Sequence, residues 1–479
     1  MNRQSLCHNW TDAADGAIRG DMSTEAMNDS SERNADHETL FAMPQVEPAG
    51  PATEVPRGGR PRMQRPDRHQ VAIRMLALDG LLAEDHQARL VWQYVDGLDM
   101  RPLYDLIRAV EGRAGRNPID PKILMGLWLY ATLDGVGSAR QLAHLCEEHV
   151  AYQWICGGVS VNHHTLSDFR TAHVEFLDQL LTDSVAALMH QDLVTLHRVA
   201  QDGMRVRAGA GASSFRRRKT LEECHSEARQ QVDSLREELQ ADPGASSKRQ
   251  KAARQRAARE RAERVQQALD EMPKAESKKK AGEKDKARVS TTDPEARVMK
   301  MADGGFRPAY NVEIATDTAG QVITGVETIN SGSDQGQMPP MVEQHRARYG
   351  RAPEETLVDG GFAKHEDIEK VSSGEERTVV YAPVQKPKKD DRDPYEPRPG
   401  DSEAIGQWRK RMGTAEAKEI YKDRASTAEC VNAIARNRGL QQFLVRGLQK
   451  VHAVVLWFAL AHNLMRAVAL RAEATAIAG

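Results

Sequence analysis

Cysteine is scarce in this 479-residue chain: Cys7, Cys146, Cys156, Cys224 and Cys430 are five in number, far apart and without a C-x-x-C pair. That excludes a disulfide framework and a zinc knuckle, and it fits a reducing cytoplasm. An excess of one charge is lacking too. Lys and Arg number 67 against 69 Asp and Glu, a formal balance of −2, so the total says little about partners and the local runs must be read instead. The amino terminus, MNRQSLCHNWTDAADG, has no basic region followed by an apolar run. The longest apolar stretch, VHAVVLWFALAHNLM, is about 15 residues with two histidines. It is too short to span a bilayer and reads as a buried helix, so no membrane partner is expected.

What is present, 40% hydrophobic and 28% charged residues, can build sizeable cores in two or three domains. Residues 1–66 are rich in Asp, Glu, Asn, Ser, Gly and Pro and have no apolar period. They are expected to be a disordered tail, because such a segment buries too little to offset its ordering entropy. It runs into VPRGGRPRMQRPDR, whose GGRPR turn is either a basic linker or a hook for an AT-rich minor groove. Residues 67–195 turn helical, with apolar positions three and four apart in ILMGLWLYATL, SARQLAHLCEEH, VNHHTLSDFR and FLDQLLTDSVAALMHQDL. Ser138 and Ser167 stand where N-caps would, and Gly135, Gly137, Gly157 and Gly158 punctuate the boundaries. An all-α unit is predicted, in which His163 and His164 either pack or meet DNA.

Beyond 195 the period changes. LHRVAQDGMRVRAGA alternates as a strand with Val199, Met204 and Val206 inward, and it carries one acid, Asp202. The charged stretch over 215–290 suits a helical hairpin or coiled coil bent at ADPGASS. Its second arm is basic from Lys248 to Arg264, a footprint suited to phosphate or simply a solvated helix. AYNVEIATDTAGQVITGVETINSGSD predicts a β-hairpin around DTAG. A helix, the short apolar run ETLVDGGF, the helix HEDIEKVSS and the strand RTVVYAPV complete a mixed α/β sheet flanked by helices, and 471–479 form a tail.

Asp359 follows a strand, where polar residues of an open α/β sheet face a crevice, and Glu429 falls in a late helix. Arg436, two turns on from Glu429, shares its face, a spacing that an ordinary solvated pair shows equally. Two acids from strands and one from a helix can converge on a pair of divalent cations, and carboxylates suit hard Mg²⁺. Asp303, Asp317 and Asp334 compete, but DGG, DTAG and SGSD are turn chemistry. Arg297 and Lys300, in TDPEARVMKMADGGF, reach DNA or solvate their loop.

The stretches IDPKILMGLWLYATLDGVGSARQLA, VNHHTLSDFR, TDPEARVMKMADGGFRPAYNVEIATD, LVDGGF and YKDRASTAECVNAIARNRGLQQFLVRGLQKVHAVVLWFALAHNLMR carry a resemblance over about 70–470. The chain resembles bacterial insertion-sequence transposases of the DDE class, in the group of families five and eleven-eighty-two. The resemblance implies a ribonuclease-H-like catalytic domain over 196–470, with 215–290 inserted, preceded by an all-helical DNA-binding domain over 67–195. It implies that Asp202, Asp359 and Glu429 are the catalytic acids and hold two Mg²⁺ ions, with Mn²⁺ as a substitute. Tyr421, Arg424 and Arg436 map onto the tyrosine and bases that handle DNA, with Arg297 and Lys300 as further contacts.

The sequence departs from the better-known pattern twice. Four residues separate Arg424 from Glu429, where the related family four has three, and arginine stands where lysine is usual. A guanidinium binds phosphate through a fork instead of a point charge. The implied reaction is hydrolysis at the transposon end to free a 3′-hydroxyl, followed by attack of that hydroxyl on target DNA. Implied partners are double-stranded DNA at both steps and a second copy of the chain, as a dimer or higher, in a cytoplasmic, nucleoid-associated setting. The alternatives are a DNA-binding protein that keeps the fold without cutting, such as a domesticated element or repressor, and a coiled-coil scaffold organised by 215–275.

Overall fold

Ten of the thirteen residues of the helix Pro121–Leu133 are buried. A helix apolar on every side has to sit inside a layer of others. It does so in the computed structural model, which describes residues 77–109, 117–241, 248–374, 377–385 and 393–478. The expected tail over 1–66, its GGRPR turn and the hairpin bend over 242–247 lie outside the described residues. The helices before the sheet are α1 (Gln87–Asp96), α2 (Arg101–Tyr104), α3 (Pro121–Leu133), α4 (Ala139–Glu148), α5 (Val150–Cys156), α6 (His163–Ala172) and α7 (Val174–His190). Asp120 caps α3, accepting from the Lys122 amide at 2.9 Å with Pro121 in the first turn. Ser138 caps α4 as expected, but Ser167 lies inside α6, and Asn162 caps that helix instead, accepting from the Thr165 amide at 3.0 Å. Asparagine serves this role as well as serine does, and the apolar period could not choose between them.

The remaining elements are β1 (Arg198–Arg207), β2 (Phe215–Arg216), α8 (Arg218–Ala241), α9 (Lys248–Ser277), β3 (Val289–Ser290), β4 (Arg297–Lys300), β5 (Phe306–Asp317), β6 (Ile323–Ile329), α10 (Met338–Tyr349), β7 (Glu355–Leu357), α11 (His365–Ser372), β8 (Val379–Tyr381), α12 (Glu403–Gly413), α13 (Ala415–Arg424), α14 (Cys430–Asn437) and α15 (Leu448–Ala478). The main sheet runs β4-β5-β1-β7-β8, with β6 also paired to β5. β1 is antiparallel to β5 and parallel to β7, which is parallel to β8. The antiparallel and parallel halves therefore meet at the strand that carries Asp202. Val199 faces the opposite side of β1 from Met204 and Val206, yet all three are buried. Both faces of the sheet are covered, so alternation does not single out one inward face.

α8 and α9 pair as the expected hairpin, with β2 and β3 antiparallel at its base. Leu221, Ala268, Met272 and Val289 form a small core there. α15 packs on α3, α7 and β6, and joins their hydrophobic cluster. It is long and apolar enough to cross a membrane by length and composition, with 72% of its apolar window buried inside the protein. Buried Asn463 on α15 acts as a partner for β6: its Oδ1 accepts from the Ile323 amide at 2.8 Å and its Nδ2 donates to the Ile323 carbonyl at 2.7 Å. A sheet group left unpaired here would cost about 1–3 kcal/mol.

Candidate active site

Asp202 lies mid-strand in β1, opposite Ile314 of β5. Asp359 comes two residues after β7, whose strand neighbour is β1. The parallel register, with Ala200 beside Leu357, therefore sets the two aspartates close to one another. Their meeting point is Arg424, the last residue of α13. Its Nη2 donates to Asp202 Oδ1 at 3.2 Å and lies 3.9 Å from Asp359 Oδ2, while its Nη1 lies 3.8 Å from Glu429 Oε1. One guanidinium thus gathers all three acids expected from the sequence.

The link from Arg424 to Glu429 is a π turn over Ala425–Glu429. A π turn closes between residues five apart, whereas an α turn closes between residues four apart. The extra residue between Arg424 and Glu429 is absorbed there, and Glu429 comes back beside the arginine instead of drifting round the helix. Asn432, in the first turn of α14, donates its Nδ2 to Asp202 Oδ2 at 2.9 Å. Tyr421 donates its hydroxyl to the Val358 carbonyl at 3.2 Å, which ties α13 to the residue before Asp359. Burial pushes the Asp202 carboxyl above the usual carboxylate range; Arg424 opposes the shift, and Asp359 and Asp334 add to it.

A second polar layer lies on the other face of β1 and was not foreseen as part of the site. Glu313 accepts from Gln201 Nε2 at 3.0 Å and from Asn311 Nδ2 at 2.8 Å, and the same Asn311 nitrogen donates to Asp334 Oδ1 at 2.8 Å. Arg205 closes the group with an ion pair to Asp334 at 3.1 Å. Asp334, read from the sequence as turn chemistry, is wedged between the glycines that follow the two catalytic candidates. A Cβ on Gly203 would stand 2.8 Å from its Oδ1, and one on Gly361 would stand 3.3 Å from its Oδ2. Burial pushes Glu313 up to about 8. Gly203→Ala would also strike Glu313 and Asn311, at 2.9 and 3.1 Å. It is expected to cost roughly 1–3 kcal/mol in urea unfolding, as overpacking of a held network does.

The other expected contacts fall into two groups. Lys300 and Arg436 are exposed, on β4 and near the end of α14. Arg297 turns inward: its Nη2 pairs with Glu271 Oε2 at 2.5 Å and its Nη1 donates to the Pro294 carbonyl at 2.7 Å, fastening β4 to α9. An all-oxygen, acidic donor set suits a hard divalent cation. Among the described residues, however, no three of His, Cys, Asp and Glu are grouped as a metal-holding set. The three acids are gathered on a guanidinium, so a metal ion fits their chemistry only where Arg424 gives way.

Residues 76–172 match the family model described as Transposase domain (DUF772), and residues 388–468 match that described as Transposase DDE domain. No curated protein and no solved structure matches the chain. The first match spans α1 to α6, and the second holds Tyr421, Arg424, Glu429 and Arg436. Together they support a DDE transposase of insertion-sequence type, an enzyme class that cuts and transfers DNA.

Proposed function

We propose that the chain is a metal-dependent transposase that binds the terminal inverted repeats of its insertion sequence, hydrolyses the DNA to free 3′-hydroxyls and joins them to target DNA. The observation that carries this reading is the convergence of Asp202, Asp359 and Glu429 on Arg424, beside the two transposase-domain matches. The mixed sheet, with its acid-bearing strand where antiparallel and parallel halves meet, supports a ribonuclease-H-like catalytic domain over 196–470. The helices over 67–195 then serve recognition of the ends. One such site per chain and two ends per element make a homodimer or higher assembly on double-stranded DNA the working form, in the bacterial cytoplasm.

Asp202, Asp359 and Glu429 would hold two Mg²⁺, or Mn²⁺, which supply the charge that makes a water or hydroxyl nucleophilic and steadies the leaving oxygen. Until ions enter, Arg424 offsets the repulsion among the three carboxylates and keeps them gathered. Asn432 fixes the second oxygen of Asp202, and Tyr421 fixes the backbone ahead of Asp359. Lys300 and Arg436 offer cations to the duplex backbone.

The test is incubation of labelled element ends with Mg²⁺ or Mn²⁺, comparing the intact chain with Asp359→Ala. Cleavage by the first and loss of at least about a hundredfold in the second is the expected result. The seating of Arg424 among the acids favours one other reading, a silent DNA-binding protein. Binding by both chains with cleavage by neither would select it.

A further inference from the structure

A cavity of about 380 Å³ opens where α3, α4 and α6 meet the loop after α14. Two arginines line it, Arg170 of α6 and Arg438 just beyond α14. Neither has an ion pair among the described residues, and no carboxylate lines the cavity. Arg170 has neutral partners only: it lies 4.5 Å from the centre of the Trp128 ring and its Nη1 donates to the Gly137 carbonyl at 2.5 Å. Those contacts hold the side chain in place and leave its charge uncompensated. Arg170 Nε and Arg438 Nη1 are buried without a hydrogen-bond partner. Ser138 and Gln141, at the start of the ten-residue helix α4, line the same space, so a helix N-terminus adds its partial positive charge.

The two guanidinium groups that line this one wall are both partly stripped of water. Burial lowers both guanidinium groups to about 10. Burying cations without an opposite charge is unfavourable, and an anion in the cavity offsets it. Planar guanidinium groups match the paired oxygens of a phosphate.

We propose that this cavity is a phosphate-binding site, in which Arg170, Arg438 and the first turn of α4 hold one phosphoryl group. If the chain acts on DNA as proposed above, that group is a backbone phosphate. Arg438 is nine residues along from Glu429, roughly 14 Å of helix rise, which corresponds to a few nucleotides of one strand. α6 belongs to the stretch VNHHTLSDFR, singled out from the sequence as able to meet DNA, and the cavity gives it a defined contact. The other source of the same chemistry is free phosphate or a small phosphorylated ligand.

The test uses the full chain and Arg438→Gln, with thermal melting to confirm that the variant folds; Arg170 is avoided first because its stack on Trp128 holds the core. Inorganic phosphate is titrated calorimetrically into each, against chloride at equal ionic strength, and a short labelled duplex is titrated by fluorescence anisotropy with and without phosphate. For a backbone phosphate, phosphate competes with the duplex. Arg438→Gln then weakens duplex binding at least about fivefold and lowers the salt slope by about one. Phosphate binding lost in Arg438→Gln with duplex binding unchanged keeps the site and assigns it to a small ligand. A folded Arg438→Gln that binds both phosphate and duplex as the parent does overturns the site. Failure of the parent chain to cleave element ends while phosphate binding is intact would count against the transposase reading alone.

Discussion

Asp202→Asn is expected to remove cleavage of element ends by at least about a thousandfold while the chain still folds and still binds the duplex. The substitution preserves shape. Asn432 retains an oxygen at position 202 to donate to, and Arg424 keeps Asp359 and Glu429 within 4 Å. What disappears is one negative charge, on the most enclosed of the three carboxylates, whose side chain is 17% exposed against 40% for Asp359 and 67% for Glu429. An amide oxygen is a weak ligand for a hard divalent cation and gives it no charge compensation. Single-turnover cleavage of labelled ends and circular dichroism of both chains check the two halves of the claim. Cleavage within tenfold of the parent, in a folded variant, would remove Asp202 from the catalytic set.

Asp202 stands out as the one acid in an alternating apolar run and Asp359 as the close of a short apolar run before two glycines, but position alone picks no catalytic set from 69 acids, and the resemblance assigns all three. Glu429 was not readable from spacing, since Glu429 and Arg436 form a pattern that any solvated helix shows. Resemblance singled it out. The structure supplies the physical reason for the unusual interval before it: five positions make one π turn, so the departure in length carries the acid back to Arg424. Arg424, expected at DNA, stands among the acids in this fold, and only the fold shows this because its partners are up to 222 residues away.

The polar layer behind β1 was hidden for a different reason. Asn311 and Glu313 alternate with Tyr310, Val312 and Ile314, which reads as a strand with one wet face. In the fold, β5 lies between β1, β4 and β6 and is buried almost from end to end. Polar side chains at such positions signal a buried network, but the sequence does not say that the outer face is covered. Asp334 was misread by the same logic. SGSD is turn-forming, and its aspartate nevertheless reaches across to Gly203 and Gly361. Arg297 shows the converse: a basic residue expected to reach DNA or solvate its loop, which the fold uses to fasten β4 to the hairpin.

Glu313→Gln is expected to stabilise the protein on the alkaline side and to flatten its dependence on pH. Glu313 is 1% exposed and flanked by Asp334, and its folded carboxyl is pushed up to about 8 from an ordinary 4.5. Between those values the folded chain holds a proton that the unfolded chain releases, so stability is fully present below 4.5, falls as pH rises toward about 8, and levels off above. A protonated Glu313 has a donor to offer, and Gln201 Oε1 and Asn311 Oδ1 are buried acceptors without a partner. Glutamine copies that neutral state and cannot ionise. Urea unfolding above the folded pKa should therefore find the variant more stable by on the order of 3 kcal/mol, with the two chains converging in mild acid. Parallel stability curves across this range would mean that Glu313 ionises freely in the fold, with water reaching the layer behind β1. The rigid packing of Asp334 against Gly203 and Gly361 would then lose its physical basis, because it depends on a neutral neighbour to limit repulsion among the acids.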